Sequence, residues 1–275
     1  MSFLNRLFGG RKPQPVSLFQ ANQAARLPSH NQFDRWQAAL ALGRRGDRRA
    51  TKALIEVVLH ARDPYQQQAA KMLPTLPGVS ASELLSVFAN ANHQAQRYII
   101  QIVGEIGDRS VAEQLARMLS DFLSRSKVTL VRELAWGGTG DRAICHDLII
   151  ALGKLADYRA APQLVAQMDA GNKNDEEVRL LVRIGAASVA PLVKRLSSRP
   201  DSMLTGAFVS ALTQILAREA PKISNVDLTS ILQLGPVPAW ERGWNSAGDT
   251  EFHEVELDCS NLKMLADREL RSRHT

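Results

Sequence analysis

The chain has 275 residues, of which 45% are hydrophobic and 5% aromatic, and its net charge at pH 7 is +6. This length and apolar content allow a sizeable core, in one elongated domain or in two units. No apolar run approaches the ~20 residues of a membrane-spanning helix, and the N-terminus lacks the hydrophobic core of a secretion signal. We therefore expect a cytoplasmic protein rather than an integral membrane protein or a secreted one.

Residues 1–12 form a short amphipathic, basic N-terminal segment. Its apolar face and the cations that follow are Phe3, Leu4, Leu7, Phe8, Arg11 and Lys12. One hypothesis is peripheral contact with an anionic membrane at its inner face. The other is a segment that caps the exposed end of the domain or has no fixed structure, because about two turns make a marginal helix. Residues 13–33, with three prolines, are predicted to be a linker.

A ten-residue phrase recurs along the chain. It reads Ala-Leu-Gly-Arg-Arg-Gly-Asp-Arg-Arg-Ala at residues 41–50, and it returns at 102–111 and 151–160. A degenerate copy starts at Leu73, and a further copy with a shortened turn starts at Ile184. Self-similarity at a fixed period is the signature of a protein built from stacked repeats.

Each copy follows the same physical logic. Apolar residues at helical spacing lie before and after the phrase, which predicts two helices. Glycine permits a close helix crossing or a helix stop because it has no Cβ. Asp47, Asp108 and Asp157 suit the N-cap position, where a carboxylate accepts a backbone N–H. One such pair cannot bury its apolar face alone, so residues 34–235 are predicted to stack into a solenoid.

The phrase, followed by a Leu-x-x-x-Leu second helix, resembles the HEAT repeat in its short PBS-lyase-like form, over residues 34–235. The resemblance implies an all-α fold of the armadillo-like helical kind. We expect an α-solenoid, a right-handed superhelix of about six HEAT-like helical pairs. Phycobilin lyases carry this repeat form and hold an open-chain tetrapyrrole, whereas HEAT-like alkyl-purine DNA glycosylases press a basic face onto damaged DNA.

Residues 236–275 break the helical pattern. Val255, Leu257 and Cys259 alternate with acidic residues, which predicts a half-buried strand. A last helix is predicted from Asn261, with Ser260 as its N-cap. We expect a small strand-plus-helix cap on the solenoid; the alternative is an element that recognises a partner, because a lone strand has unpaired edges.

Positive charge is concentrated at the front of the chain. Through residue 62 there are eleven Lys and Arg residues and three acidic ones. Four of the arginines form what we term the basic edge: Arg44, Arg45, Arg48 and Arg49. Such a basic end can bind an anionic surface, which would be nucleic acid, acidic lipid or an acidic protein. The alternative is that it is a helix edge exposed to solvent, with no partner.

No constellation of catalytic or metal-binding residues emerges from the sequence. A single His-Glu pair, His253-Glu254, cannot build the di-iron site for which HEAT-like deoxyhypusine hydroxylases use several such pairs. Cys145 and His146 are adjacent on a predicted helix and point about 100° apart, which disfavours a nucleophile pair. The glycine-rich segment 137–141 lacks the lysine of a phosphate-binding loop. We therefore predict no catalytic residue, no metal and no cofactor.

The sequence favours a non-catalytic scaffold or adaptor that binds another protein, as a helix or an extended peptide, in the concave face of the solenoid. The predicted contact residues on the second helices, termed the groove face, are Lys52, Glu56, His60, Glu113, Arg117, Gln163, Gln167 and Lys194. A phycobilin-lyase-like protein that handles a chromophore is the alternative. A DNA-binding or repair protein is less favoured, because the second helices carry charges of both signs.

Overall fold

The computed structural model describes most of the helical region and the C-terminal part of the chain. The described residues are 32–62, 64–126, 140–168, 175–198, 205–235, 237–244, 250–257 and 259–274. The predicted N-terminal segment 1–12 lies outside these ranges, as does nearly all of the predicted linker. The chain divides into two compact units, Met1–Ile102 and Val103–Thr275.

The first unit consists of short helices joined by tight turns. They are α1 (Gln32–Gly43), α2 (Thr51–His60), α3 (Tyr65–Met72), α4 (Ala81–Val87) and the beginning of α5 (His93–Ile106), which continues into the second unit. Helices α1, α2 and α3 pack against one another. Leu40, Leu54, Leu73 and Leu84 are almost completely buried, so α1, α2, the turn after α3 and α4 all contribute apolar side chains to a core.

The second unit arranges its helices in two rows. Its helices are α6 (Ala112–Ser126), α7 (Asp141–Lys154), α8 (Ala161–Met168), α9 (Asp175–Ile184), α10 (Val189–Ser197), α11 (Thr205–Glu219) and α12 (Asn225–Leu232). The first helices of successive pairs, α7, α9 and α11, pack on one another in order, and the second helices α8, α10 and α12 do the same. Each pair therefore covers the apolar face of its neighbour, as stacking predicts.

The C-terminal part begins with a hairpin. Strand β1 (Val237–Trp244) runs antiparallel to β2 (Thr250–Leu257), with Val237 opposite Leu257. The sequence identified only one strand here, and that strand was expected to extend to Cys259. Cys259 instead follows the hairpin, is buried, and occupies the N-cap position that was predicted for Ser260.

Helix α13 (Ser260–Ser272) follows the hairpin and joins the helical rows. It packs against α11 and α12, and Leu262 and Ala266 are fully buried. Arg273 donates a hydrogen bond of 2.8 Å to the backbone oxygen of Ala220. Helix α13 therefore takes the next place after α11 in the row of first helices.

The predicted aspartate caps are confirmed. The Oδ1 atoms of Asp47, Asp108 and Asp157 accept backbone N–H groups two residues later, at 2.9, 2.9 and 3.0 Å. In each copy the capped segment is a single 3-10 turn that runs directly into the second helix. The carboxylate thus satisfies a backbone donor where the chain reverses.

The first glycine of each phrase lies at a close crossing between helices. A Cβ on Gly104 would lie 3.0 Å from the Cα of Ala151 in α7, and one on Gly153 would lie 3.0 Å from Leu180 in α9. These glycines therefore let successive first helices approach more closely than a larger residue allows.

The second glycine position of the phrase requires left-handed backbone. Gly46 and Gly107 have φ values of +71° and +75°, and the third copy places Ala156 there with φ of +56°. An L-residue with a Cβ is disfavoured in this region, whereas glycine enters it without a steric cost.

Replacing Ala156 with glycine should therefore stabilise the protein. We expect Ala156→Gly to raise the free energy of unfolding by about 0.5–1 kcal/mol, since relief of the left-handed strain exceeds the added entropy of the unfolded chain. Urea unfolding followed by circular dichroism measures the change. As a matched control, Ala166→Gly inside α8 should lower stability by about 1 kcal/mol. A loss of stability in both variants would contradict this account of the turn.

Candidate functional site

The groove-face residues of the first unit lie on one stripe of α2. Lys52, Glu56 and His60 are exposed and follow one another at intervals of four residues, which places them on the same side of a helix. In the second unit, Glu113 and Arg117 are exposed on α6 and Lys194 is exposed on α10, while Gln163 is half-buried on α8.

Gln167 does not belong to the groove face, and its prediction as a contact residue is wrong. Its side chain is 2% exposed, and both of its amide atoms are buried without a partner in the structure. Helix α8 is covered by α7, α9 and α10, so that a polar residue four positions after the half-buried Gln163 faces neighbouring helices. Sequence periodicity on one helix does not reveal how many neighbours cover it.

An ion-pair network joins two copies of the repeat in the second unit. Arg159 pairs with Asp157 at 2.7 Å and also with Glu113 on α6. Glu113 in turn pairs with Arg117, with 3.2 Å between Oε1 and Nε. Hydrogen bonds from Arg159, and then from Arg117, lower the pKa of Glu113. Glu113 therefore ties α6 to the turn before α8, whereas Arg117 pairs with it inside α6.

The basic edge is exposed, but two of its arginines have partners within the chain. Arg49 pairs with Asp47 at 2.5 Å between Nη2 and Oδ2, and hydrogen bonds from Arg49 lower the pKa of Asp47 to about 2. Arg44 donates to Oε1 of Gln68 at 3.2 Å. Among the residues that the structure describes, Arg45 and Arg48 form no ion pair or side-chain hydrogen bond.

The basic edge and the groove face meet at a cleft of about 510 Å³ in the first unit. We call it the Arg48–Lys52 cleft; its lining residues are Arg48, Arg49, Thr51, Lys52, Pro77, Gly78 and Glu83. The far wall comes from the degenerate repeat copy and the start of α4, which sequence reasoning did not connect with the basic edge. The Pro77-Gly78 turn lies 30 residues after Asp47 and Arg48, about one repeat later, and this spacing could have indicated that the two turns are neighbours.

A second charged cleft, of about 320 Å³, lies between α5, α7 and α9 in the second unit. Lys154 stands in it, with its Nζ 2.8 Å from Glu105 and 3.5 Å from Glu176. Arg179 and Arg183 line the same cleft. Glu105 and Glu176 already neutralise the charge of Lys154. Lys154 is therefore not available to bind an anion in this cleft.

The described residues hold no group of three or more His, Cys, Asp or Glu side chains that could bind a metal ion. Cys145 and Cys259 are both buried, and neither forms a disulfide. The Nδ1 atom of His146 is buried without a partner in the structure. The side chains of His253 and Glu254, and residues 137–139 of the glycine-rich segment, lie outside what is described. None of the described helices is long and apolar enough to cross a membrane.

Comparison with known protein families places one copy of the repeat. Residues 34–60, which span most of α1 and all of α2, match the PBS lyase HEAT-like repeat. This segment includes the whole basic edge and three groove-face residues. No curated protein matches the chain significantly.

The buried amide of Gln167 should be a cost to stability. We expect Gln167→Leu to raise the free energy of unfolding by about 1 kcal/mol, because the substitution removes two desolvated polar atoms without hydrogen-bond partners. The half-buried neighbour supplies the control: Gln163→Leu should change stability by less than about 0.5 kcal/mol. Chemical denaturation of both variants decides the point, and a destabilised Gln167→Leu protein would mean that the amide has a partner.

The three phrase aspartates should make the fold sensitive to acid. The pKa values of Asp47, Asp108 and Asp157 are all lowered, first by side-chain hydrogen bonds from Arg49, Ser110 and Arg159 respectively. Carboxyl groups with a lowered folded-state pKa contribute stability above their unfolded pKa and lose it as pH falls.

Thermal unfolding midpoints measured between pH 7 and pH 2 test this expectation. The contribution of Asp47 should be complete above about pH 4 and should disappear as pH falls towards 2, because its pKa drops from 3.8 to about 2 on folding. A variant with asparagine at all three positions keeps an N-cap acceptor and should show a flatter acid limb. An unchanged acid limb would assign the acid sensitivity to other carboxyl groups.

Proposed function

We propose that the chain, a HEAT-repeat protein of the PBS-lyase-like type, is a non-catalytic scaffold that binds another protein. The contact surface in this proposal is the exposed face of the second helices, where an extended peptide or a helix of the partner lies in the groove of the solenoid. The observation that carries it is the double row of helices in the second unit, since such stacking leaves a continuous face of second helices.

The polar character of the second helices supports this proposal. Exposed residues of both signs alternate on them, with Lys52 beside Glu56 on α2 and Glu113 beside Arg117 on α6. Mixed charge of this kind suits the rim of a protein interface, where it sets orientation and specificity. A strand-tracking nucleic-acid groove is instead uniformly basic.

In this proposal α1 to α12 form six HEAT-like pairs of a right-handed superhelix, closed by the hairpin and α13. The supporting contacts are those of α13 with α11 and α12. The exposed side of α13 carries the ion pair between Arg271 and Asp267, at 2.8 Å, while Leu262 and Ala266 are buried on its other side. A terminal element with a polar outer face is what a repeat array requires at its end.

Both charged clefts also favour a scaffold over a chromophore-handling protein. An open-chain tetrapyrrole is a large conjugated molecule, and sites for such ligands are mostly apolar and enclosed. The clefts at Arg48–Lys52 and at Lys154 are each lined by at least four charged side chains and are open to solvent.

We place the scaffold in the cytoplasm, where residues 1–12 would provide any contact with an anionic membrane.

Site-specific photocrosslinking in native cells tests the proposal. A benzophenone amino acid is placed at His60 or Lys194, exposed on second helices, and in separate variants at Arg142 or Gln214, exposed on first helices. We expect one protein to be crosslinked from both second-helix positions and not from the first-helix positions. Equal crosslinking from all four positions would rule out the groove, and a captured bilin or nucleic acid would replace the scaffold with another function.

A further inference from the structure

We infer that the Arg48–Lys52 cleft binds an acidic stretch of extended peptide, with carboxylate side chains on Arg48 and Lys52. The inference rests on the proposed scaffold function and names the chemistry of the partner. The cleft lies wholly within the first unit, and its volume of about 510 Å³ is in the range of ligand pockets, about 300–1,000 Å³. A few side chains of an extended segment fit such a volume.

The positive charge that is available in the cleft comes from Arg48 and Lys52. Arg48 lines the cleft from the 3-10 turn, and Lys52 lines it from the first turn of α2. Both are exposed, and neither forms a hydrogen bond or ion pair through its side chain with any residue that the structure describes. Two neighbouring unpaired cations repel each other, and a bound carboxylate relieves that repulsion.

Arg49 lines the same cleft but contributes little free charge. Its guanidinium makes three hydrogen bonds to the carboxylate of Asp47, between 2.5 and 3.0 Å. With a pKa of about 2, Asp47 stays ionised at neutral pH, and the pair is electrically neutral. Arg49 therefore lines the cleft as one half of a neutral pair, and Arg48 and Lys52 supply the positive charge that can bind a ligand.

Neither of the other two clear repeat copies carries both of these cations. The positions that correspond to Arg48 and Lys52 are Arg109 and Glu113 in the second copy, and Tyr158 and Pro162 in the third. Glu113 is used to pair with Arg117 and Arg159. Since the turn folds in all three copies, two cations at these positions are not a requirement of the repeat, and they distinguish the first copy.

The opposite wall selects a peptide over a phosphate group. Glu83 on α4 lines it, so Arg48, Lys52 and Glu83 together leave a net charge of about +1 beside the neutral Asp47–Arg49 pair. Glu83 repels any anion in the cleft, and a phosphate dianion carries more negative charge than this net charge can neutralise. An extended peptide can instead place a carboxylate on the cations and a backbone N–H or a basic side chain on Glu83.

Fluorescence anisotropy with the full chain tests the inference. The probe is a fluorescein-labelled ten-residue peptide of alternating glutamate and alanine, with the glutamine–alanine peptide as its uncharged control. We expect the acidic peptide alone to bind, with an affinity that falls as salt rises. The double variant Arg48→Glu with Lys52→Glu should weaken binding by roughly tenfold or more, because attraction becomes repulsion.

Matched variants separate the cleft from the general basicity of the chain. Arg109→Glu changes the corresponding exposed arginine of the second copy, outside the cleft, and should leave affinity within about twofold. The double variant Arg48→Gln with Lys52→Gln removes the two charges without reversing them and should also weaken binding. An unchanged unfolding midpoint of this variant would show that the loss of affinity does not come from misfolding. Equal weakening by Arg109→Glu would overturn the inference in favour of non-specific attraction.

Two further probes test the alternative sources of negative charge. Inorganic phosphate and vesicles that contain phosphatidylglycerol should not bind in a manner that depends on Arg48 and Lys52; such dependence, without peptide binding, would overturn the inference. Crosslinking from His60 and Lys194 is repeated in the Glu double variant. If the partner is captured with undiminished yield, the scaffold proposal stands and the cleft is not its binding site. If the peptide binds in the cleft but no partner is crosslinked, the scaffold proposal is wrong.

Discussion

The close approach of successive first helices is the constraint on which the rest of the second unit depends. Gly104 on α5 lies against the backbone of α7, and Gly153 on α7 lies against Leu180 of α9, at distances that leave no room for a larger residue. The turn that follows each first helix is short, and its aspartate cap satisfies a backbone donor where the chain reverses. The second helix begins directly after this turn.

The repeat phrase alone predicted the helical pairs, the aspartate caps and the small residues at the crossings, because these features depend on residues close together in sequence. The features that were missed depend on contacts between distant segments. Gln167 is buried because α7, α9 and α10 surround its helix. The Arg48–Lys52 cleft needs a wall from the degenerate copy, and the sequence of that copy does not indicate that it faces the basic edge. Strand β1 includes Pro238 and Gly243, which are poor strand formers.

One turn geometry carries different electrostatic arrangements in different copies. Asp47 and Asp157 each hold the arginine two residues later, whereas Asp108 has Ser110 in that position. Arg159 reaches further and pairs with Glu113 on the preceding second helix, which links two copies. Arg49 stays with Asp47 and leaves Arg48 to face solvent. The capping role is thus constant, and the exposed positions beside it are free to take on separate roles.

The two rows of the second unit also affect how the chain tolerates changes in length. Each helix there makes its main contacts with immediate neighbours, so an added or deleted pair disturbs only the boundary at which it joins. The longest spacing between successive copies, from residue 102 to residue 151, contains the connection between α6 and α7, where we expect an insertion to leave the other boundaries unaltered. Such a body can lengthen by duplication of a single unit, and its resistance to denaturation should then increase in steps, one for each unit gained.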